Sequence, residues 1–166
     1  MYEELRRICF DMMPNTLLQH GLSAALQEFC GRINKADQVS MELDLFGLEE
    51  RLANLQEVSL YRIVQEWTNN ILKYGKAENI TVQLTADENE LTLMIEDNGP
   101  GFDKELLINS KGHGWKNIHT RTKLIDGEIE FDTHEQRRGT TFILNAPIKD
   151  TQVKKEELTI EVSQRI

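Results

Sequence analysis

The chain is short of basic residues: 19 Lys and Arg stand against 28 Asp and Glu, for a formal net charge of −9. That shortage excludes nucleic acid as a main direct partner, because phosphate backbones are gripped by excess Lys and Arg. It leaves room for a phosphorylated nucleotide, which an acidic protein can hold through an intervening cation such as Mg²⁺, with local amide and lysine donors. Cysteine is scarce. Cys9 and Cys30 sit far apart in helix-like apolar patterns, so neither a disulfide framework nor a zinc spacing is present, and both read as buried free thiols of a reducing cytoplasm. No run of 18 apolar residues occurs, so no membrane-spanning helix is expected. Glu3, Glu4 and Asp11 interrupt the first dozen residues, which argues against a secretory signal there.

A length of 166 residues suits one domain with a short appendage. Tyr2 to Met12 reads as a helix with Leu5, Ile8, Cys9 and Met12 on one stripe, and Pro14-Asn15 punctuates it. Helical spacing resumes with Leu22, Ala25, Leu26 and Phe29 and fades near Asn34. Val39, Met41, Leu43 and Leu45 alternate as a half-buried strand. After Gly47 the longest helical pattern runs from about Leu55 to Tyr74, with Gly75 as the expected C-cap. A hairpin follows, Ile80, Val82 and Leu84 alternating out and Leu91, Leu93 and Ile95 alternating back around Asp87-Glu88-Asn89. From Asn98 to Gly114 four glycines and a proline make the chain irregular. A helix from about Trp115 to Ile125 ends at Asp126-Gly127, and strands Glu128 to Thr133 and Thr140 to Pro147 complete the pattern. Lys149 to Ile166 is charged and alternates only weakly, compatible with tail, strand or helix. Antiparallel hairpins with helices between them predict an α+β sandwich with the helices on one face of the sheet.

Four groups of residues carry chemistry. On the long helix, at 100° per residue, Asn70 lies about 40° from Glu66, Lys73 about 20° to the other side and Tyr74 about 80° round. The apolar stripe Leu60, Ile63, Val64, Trp67, Ile71 is centred roughly 100° from Glu66 by the same count. A carboxylate, an amide oxygen and an ammonium thus border the buried face, where they suit a hard cation and phosphate oxygens; a solvated helix edge is the plainer reading of the same residues. The second group begins at Asp97, which period two places on the same strand face as Leu91, Leu93 and Ile95. Asn98-Gly99-Pro100-Gly101-Phe102-Asp103 follows at once, so a carboxylate at the mouth of an apolar pocket adjoins a backbone able to approach a ligand closely. Such a carboxylate can accept a hydrogen bond from an exocyclic amine such as adenine N6; an ordinary turn is the alternative. Third, Lys111-Gly112-His113-Gly114 opens a helix, offering backbone N–H groups and the positive dipole end to an anion. It is neither a dinucleotide fingerprint nor a Walker loop. Last, Gly139-Thr140-Thr141 enters the final strand and, alone, reads as a turn.

In their order and spacing, Glu-x-x-x-Asn-x-x-Lys-Tyr, Asp-Asn-Gly-Pro-Gly-Phe-Asp, Gly-His-Gly-Trp and Gly-Thr-Thr together resemble the nucleotide site of the GHKL ATPase superfamily, which includes histidine kinases, gyrase, heat-shock chaperones and MutL. The segments LYRIVQEWTNNILKYGKA, MIEDNGPGFD and GHGWKNIHTRTKLIDGEIEFDT resemble a sensor histidine kinase of the subfamily that signals to NarL-type response regulators. The likeness runs from about Arg6 to Ile148. It implies a Bergerat fold, a two-layer α/β sandwich whose mixed sheet is covered on one face by helices. It also implies ATP and Mg²⁺ as ligands. By position, Glu66 and Asn70 would be the catalytic, metal-facing pair, Asn70 binding Mg²⁺ and Glu66 helping to position it or polarising a water, while Lys73 would touch phosphates and Tyr74 line the nucleotide. Asp97 would recognise the adenine amine, with Gly99, Gly101 and Phe102 shaping that wall. Lys111, Gly112, His113 and Gly114 would close on the phosphates, and Thr140 or Thr141 would sit behind the adenine. Two residues depart from the subfamily pattern: Tyr74 stands where many relatives have His, and Trp115 replaces a smaller apolar residue.

The resemblance further implies a division at residues 1–35 (second hairpin helix and linker helix of a dimerisation hairpin), 36–148 (catalytic domain) and 149–166 (tail). The phosphorylated histidine would lie outside this chain, since His20, His113, His119 and His134 have no acceptor-like setting. Expected partners are a response regulator and a second copy in the full-length kinase, with membrane association only through segments outside these residues. Two alternatives share the fold: an anti-sigma-type serine kinase, and a nucleotide-binding module without catalysis.

Overall fold

The computed structural model describes residues 14–36, 39–101, 105, 108, 114–134 and 137–149. The helix expected at Tyr2 to Met12, the segment around Phe102, Lys111, Gly112 and His113, and the tail beyond Lys149 lie outside the described residues. Within them, helix α1 (Asn15–Lys35) leads to strand β1 (Ser40–Phe46) and helix α2 (Asn54–Asn70), which continues as a π-helical turn, Ile71–Gly75. Strands β2 (Asn79–Ala86) and β3 (Glu90–Asp97), helix α3 (Gly114–Leu124), and strands β4 (Glu128–His134) and β5 (Arg137–Pro147) follow. The sheet order is β1-β2-β3-β5-β4. β1 pairs with β2 in parallel, and every other pairing is antiparallel. Because β1 and β2 are parallel, their connection must cross the sheet, and α2 is that crossover.

Each central strand buries every second side chain. Ile80, Val82 and Leu84 on β2, Leu91, Leu93 and Ile95 on β3, and Phe142 and Leu144 on β5 are all fully buried, while their sequence neighbours are half-buried or exposed. One face is therefore the core face, and it meets Leu60, Ile63, Val64 and Trp67 of α2, Ile118 of α3 and Leu26, Phe29 and Ile33 of α1 in a single cluster. This is the α+β sandwich that the pattern predicts, with the mixed sheet that the family resemblance implies. Trp67 sits at its centre with the Phe142 ring 4.5 Å away. Truncating a buried aromatic of this kind typically costs ~3–5 kcal/mol.

Polar side chains fix the joints. Asn34 closes the passage from α1 to β1 by donating to Met41 O (2.9 Å) and accepting from Met41 N (2.7 Å). Gln56 does the same at the far end, donating to Pro147 O (2.7 Å) and accepting from Lys149 N (3.0 Å), so the start of α2 holds the end of β5. α1 breaks at Gly21, whose φ of 85° lies outside helical space, and Arg51 occupies the place a side chain there would take. Arg51 then reaches the buried Glu57 in the first turn of α2 at 2.6 Å, where a carboxylate also faces the positive helix end.

Two boundaries differ from the sequence expectation. The long helix ends not in a Gly75 cap but in the π turn, and the left-handed residue is Lys76 (φ 42°, ψ 38°). A turn closed by i→i+5 bonds takes up one residue more than an α turn, so the reversal falls one position later than α spacing predicts. β5 starts at Arg137 rather than Thr140, with an irregularity in its pairing with β4 at Thr133/His134. Arg137, Arg138 and Gly139 carry no apolar alternation, and their strand character comes from backbone pairing.

Candidate functional site: a strand end and a helix edge

Asp97 is the last residue of β3 and, as its period requires, points to the core face; the residue is only 8% exposed. Its Oδ1 accepts the Gly99 N–H at 2.8 Å. Across the ladder it faces Thr140, whose hydroxyl hydrogen-bonds both Asp97 and, at 3.1 Å, Thr133 on β4. Three strands therefore converge on one carboxylate. Burial pushes this carboxyl above its ordinary range, with the Gly99 N–H and the Thr140 hydroxyl pulling the other way. Gly139 seals the assembly: its N–H donates to Gly99 O at 2.6 Å, its φ is 95°, and a Cβ there would lie 2.8 Å from Asp97 O. The next residue but one after Gly99, Gly101, also takes a positive φ, 77°, so the backbone turns away from β3 directly beside the carboxylate. Asn98 points elsewhere and accepts the N–H groups of Glu78 and Asn79, both at 2.9 Å, which fixes the start of β2.

Thr140 and Thr141 part company. Thr140 is buried beside Asp97, whereas Thr141 lies on the outer sheet face and donates to Glu96 at 3.2 Å. A polar recess of about 170 Å³ at this end of the sheet reaches from Asp97, Thr133 and Thr140 to Glu96, Asp132 and Thr141.

The recess does not extend to Glu66, Asn70 or Gly114, which form a second candidate group at the edge of α2. Asn70 is 7% exposed, and its amide nitrogen is buried without a hydrogen-bond partner. Gly114, the first residue of α3, stands directly over it: a Cβ built on Gly114 would lie 3.3 Å from Glu66 Oε2 and 3.6 Å from Asn70 Oδ1. Two oxygen ligands of the kind a hard cation takes thus converge on a spot left open by glycine. Burial is the largest influence on Glu66 and raises its carboxyl, opposed by the Arg121 charge, a hydrogen bond from Asn117 and the Arg62 charge. Asn117 and Arg121 were not among the sequence-derived candidates. The signal for them is helical spacing: residues 114, 117, 118 and 121 share one face of α3, and the buried Ile118 shows that this face is the inner one. Among the described residues no three His, Cys, Asp or Glu side chains gather into a metal cage. The donor set fits Mg²⁺ in its usual manner, one or two protein oxygens with substrate phosphates completing the shell.

Lys73 lies on the π turn with its side chain exposed, so its angular relation to Glu66 no longer follows 100° spacing. The Tyr74 backbone belongs to the same turn. Trp115 packs against Phe131 (5.3 Å between centroids) and Trp67 (6.5 Å), tying the start of α3 to β4 and to the core.

A mixed sheet with helices on one face, with an acid at a strand end and an amide–carboxylate pair at a helix edge, is the architecture expected of a Bergerat-type domain. Residues 55–150 match the family of histidine kinase-, DNA gyrase B- and HSP90-like ATPases, and the chain belongs to that family. Curated proteins similar to it include sensor histidine kinases. The sensor histidine kinase MctS of Rhizobium johnstonii is 29% identical over 147 residues, covering 87% of this chain and 32% of the relative. The oxygen sensor histidine kinase NreB of Staphylococcus carnosus is 27% identical over 150 residues, 90% of this chain and 43% of the relative. The chain thus spans less than half the length of these relatives. The fold is shared with the histidine kinase domain of the Erythrobacter litoralis EL346 blue-light-activated kinase (TM-score 0.61, 18% identity, 76% of this chain and 65% of that one). It is also shared with the Acinetobacter baumannii histidine kinase AdeS (TM-score 0.58, 18% identity, 89% and 77%). The chain is accordingly an ATP-binding domain of the sensor histidine kinase type, and the serine-kinase alternative is not favoured.

Proposed function

We propose that this chain binds ATP together with Mg²⁺ and delivers the γ-phosphoryl group to a histidine outside residues 1–166, as the catalytic part of a two-component sensor kinase. The observations that support the proposal are a buried strand-end carboxylate, Asp97, and an acid–amide pair, Glu66 and Asn70, beneath Gly114. In this reading Asp97 accepts a hydrogen bond from the adenine amine, Thr140 backs the base, and Gly99, Gly101 and Phe102 form the adjoining wall. Glu66 and Asn70 would hold Mg²⁺, which supplies charge neutralisation for the phosphates. By their place in the motifs, Lys73, Tyr74, Lys111, Gly112, His113 and Gly114 would contribute to nucleotide binding. Phosphoryl transfer asks little covalent chemistry of a protein, so these residues act by positioning and electrostatics.

Residues 1–35 are assigned to the end of a dimerisation hairpin and its linker helix, residues 36–148 to the catalytic body and 149–166 to a tail. A homodimeric full-length kinase, a NarL-type response regulator as phosphoryl acceptor and attachment to a membrane through further segments belong to the same proposal. No helix among the described residues is long and apolar enough to cross a membrane.

Calorimetric titration with a non-hydrolysable ATP analogue, with and without Mg²⁺, tests the binding half. One analogue per chain, tighter with Mg²⁺ and displaced by ADP but not by the guanine counterpart, is the expected result. No saturation at millimolar analogue in either condition would overturn it.

A further inference from the structure

We propose that Asn117, assisted by Arg121, is a positioning residue that holds the Glu66 carboxylate in register with Asn70, so that helix α3 sets the geometry of the metal-facing edge of α2. The inference rests on the reading of Glu66 and Asn70 as the Mg²⁺-facing pair and deepens it.

Glu66 is half-buried at the junction of two helices, and a glutamate there has three side-chain torsions to fix. Its own helix contributes Arg62, one turn earlier, as a charge. The hydrogen bond comes from the opposite helix: Asn117 lies one turn beyond Gly114 and bonds the Glu66 carboxylate. Arg121 lies one turn further along the same face; its charge, the larger of the two α3 influences, favours the ionised Glu66, while its buried Nη1 makes no hydrogen bond. The division is informative. A neutral amide fixes direction without neutralising the carboxylate, whereas a directly bonded guanidinium would cancel the charge that a cation needs. Gly114 completes the arrangement by standing 3.3 Å, at its would-be Cβ, from the Glu66 oxygen. The carboxylate is thus bounded by backbone on one side and directed by Asn117 on the other. Because Gly114, Asn117 and Arg121 belong to one helix, a displacement of α3 moves all three together relative to Glu66.

A double-mutant cycle tests this by calorimetry on the whole chain, using a non-hydrolysable ATP analogue with and without Mg²⁺ and the variants Glu66→Gln, Asn117→Ala, Asn117→Ser and Glu66→Gln/Asn117→Ala. Asn117→Ala is expected to leave Mg²⁺-free affinity within about twofold and to cut the Mg²⁺ enhancement about tenfold, the usual scale for a hydrogen bond to a charged group. The double variant should be no weaker than Glu66→Gln alone, and Asn117→Ser, which keeps a short donor, should recover part of the loss. Losses that multiply in the double variant, or that appear equally without Mg²⁺, would overturn the proposal, because Asn117 would then act independently of Glu66. If Glu66→Gln itself leaves the Mg²⁺ enhancement intact, the metal reading of Glu66 fails, and the role of Asn117 with it. Melting curves without nucleotide identify any variant that merely fails to fold.

Discussion

The two acids of this site are both partly withdrawn from water, and burial raises both carboxyls, yet they are held in opposite ways. Asp97 is held by the sheet. It ends a strand, receives a backbone N–H at 2.8 Å and sits opposite Thr140 in a register shared by β3, β5 and β4. Glu66 is held by side chains on a second helix whose place depends on packing between α2 and α3. A strand end cannot move without breaking ladder bonds, whereas a helix can shift by small amounts across its neighbour. The strand end is therefore suited to recognition that must not vary, and the helix edge to chemistry that can be turned on by moving α3.

The largest effect should come from breaking the strand end through its backbone. Gly139→Ala forces a φ of 95° on a residue with a Cβ and drives that atom to within 2.8 Å of Asp97 O. It is expected to cost about 2 kcal/mol or more and to lower the melting temperature by ~4 °C or more, as differential scanning calorimetry will read. An unchanged melting temperature would mean that β5 can open there freely, and the contrast between a rigid and an adjustable half would fail.

Next comes Asp97→Asn, which removes the charge and keeps the shape. Losing a hydrogen bond to a charged group typically costs ~1.5–3 kcal/mol, so analogue affinity should fall roughly 10- to 150-fold while far-ultraviolet circular dichroism stays that of the folded protein. The same variant carries a pH signature. A carboxyl raised in the folded state binds protons there more readily than in the unfolded chain, so wild-type stability falls as pH rises from the ordinary aspartate value through the raised one. Asp97→Asn should therefore melt at or above the wild-type temperature near pH 7, and its advantage should shrink as the pH drops toward 4. A variant less stable than wild type at neutral pH would identify Asp97 as structural.

Gly114→Ala should show the smallest effect and the most selective one. Gly114 is the first residue of α3, where the interior advantage of alanine over glycine does not apply, so the melting temperature should change little. The alanine methyl group nevertheless crowds the Glu66 and Asn70 oxygens and should weaken Mg²⁺-dependent analogue binding roughly fivefold, about 1 kcal/mol. Equal weakening without Mg²⁺ would place the clash at the nucleotide rather than at the acid–amide pair.

The strand half was legible in the sequence because alternation is a local rule. Leu91, Leu93 and Ile95 give the buried face, and Asp97 inherits it by counting. The apolar stripe of α2 was legible for the same reason, and Leu60, Ile63, Val64, Trp67 and Ile71 are all buried. What counting could not give is contact between distant elements. Asn117 looks like any polar residue on an amphipathic helix until α3 is laid on α2. Counting back from Phe142 and Leu144 puts Thr140 on the core face and Thr141 on the outer one, but only the pairing of β3 with β5 shows that Thr140 lies beside Asp97. The π turn escaped because every angular estimate for Lys73 and Tyr74 assumed a uniform helix, and no residue type in Ile71–Gly75 announces the change.

That turn also bears on which changes in chain length the domain can absorb. Ile71–Gly75 already carries more chain than an α-helix would use to reach β2, so deleting one residue there lets the helix relax to regular winding instead of tearing a joint. Such a deletion would rewind Lys73 about the helix axis while leaving β2, β3 and Asp97 in register. Insertions and deletions at this one place thus offer a route by which length variation retunes the end proposed to face the phosphates and spares the end proposed to recognise the base.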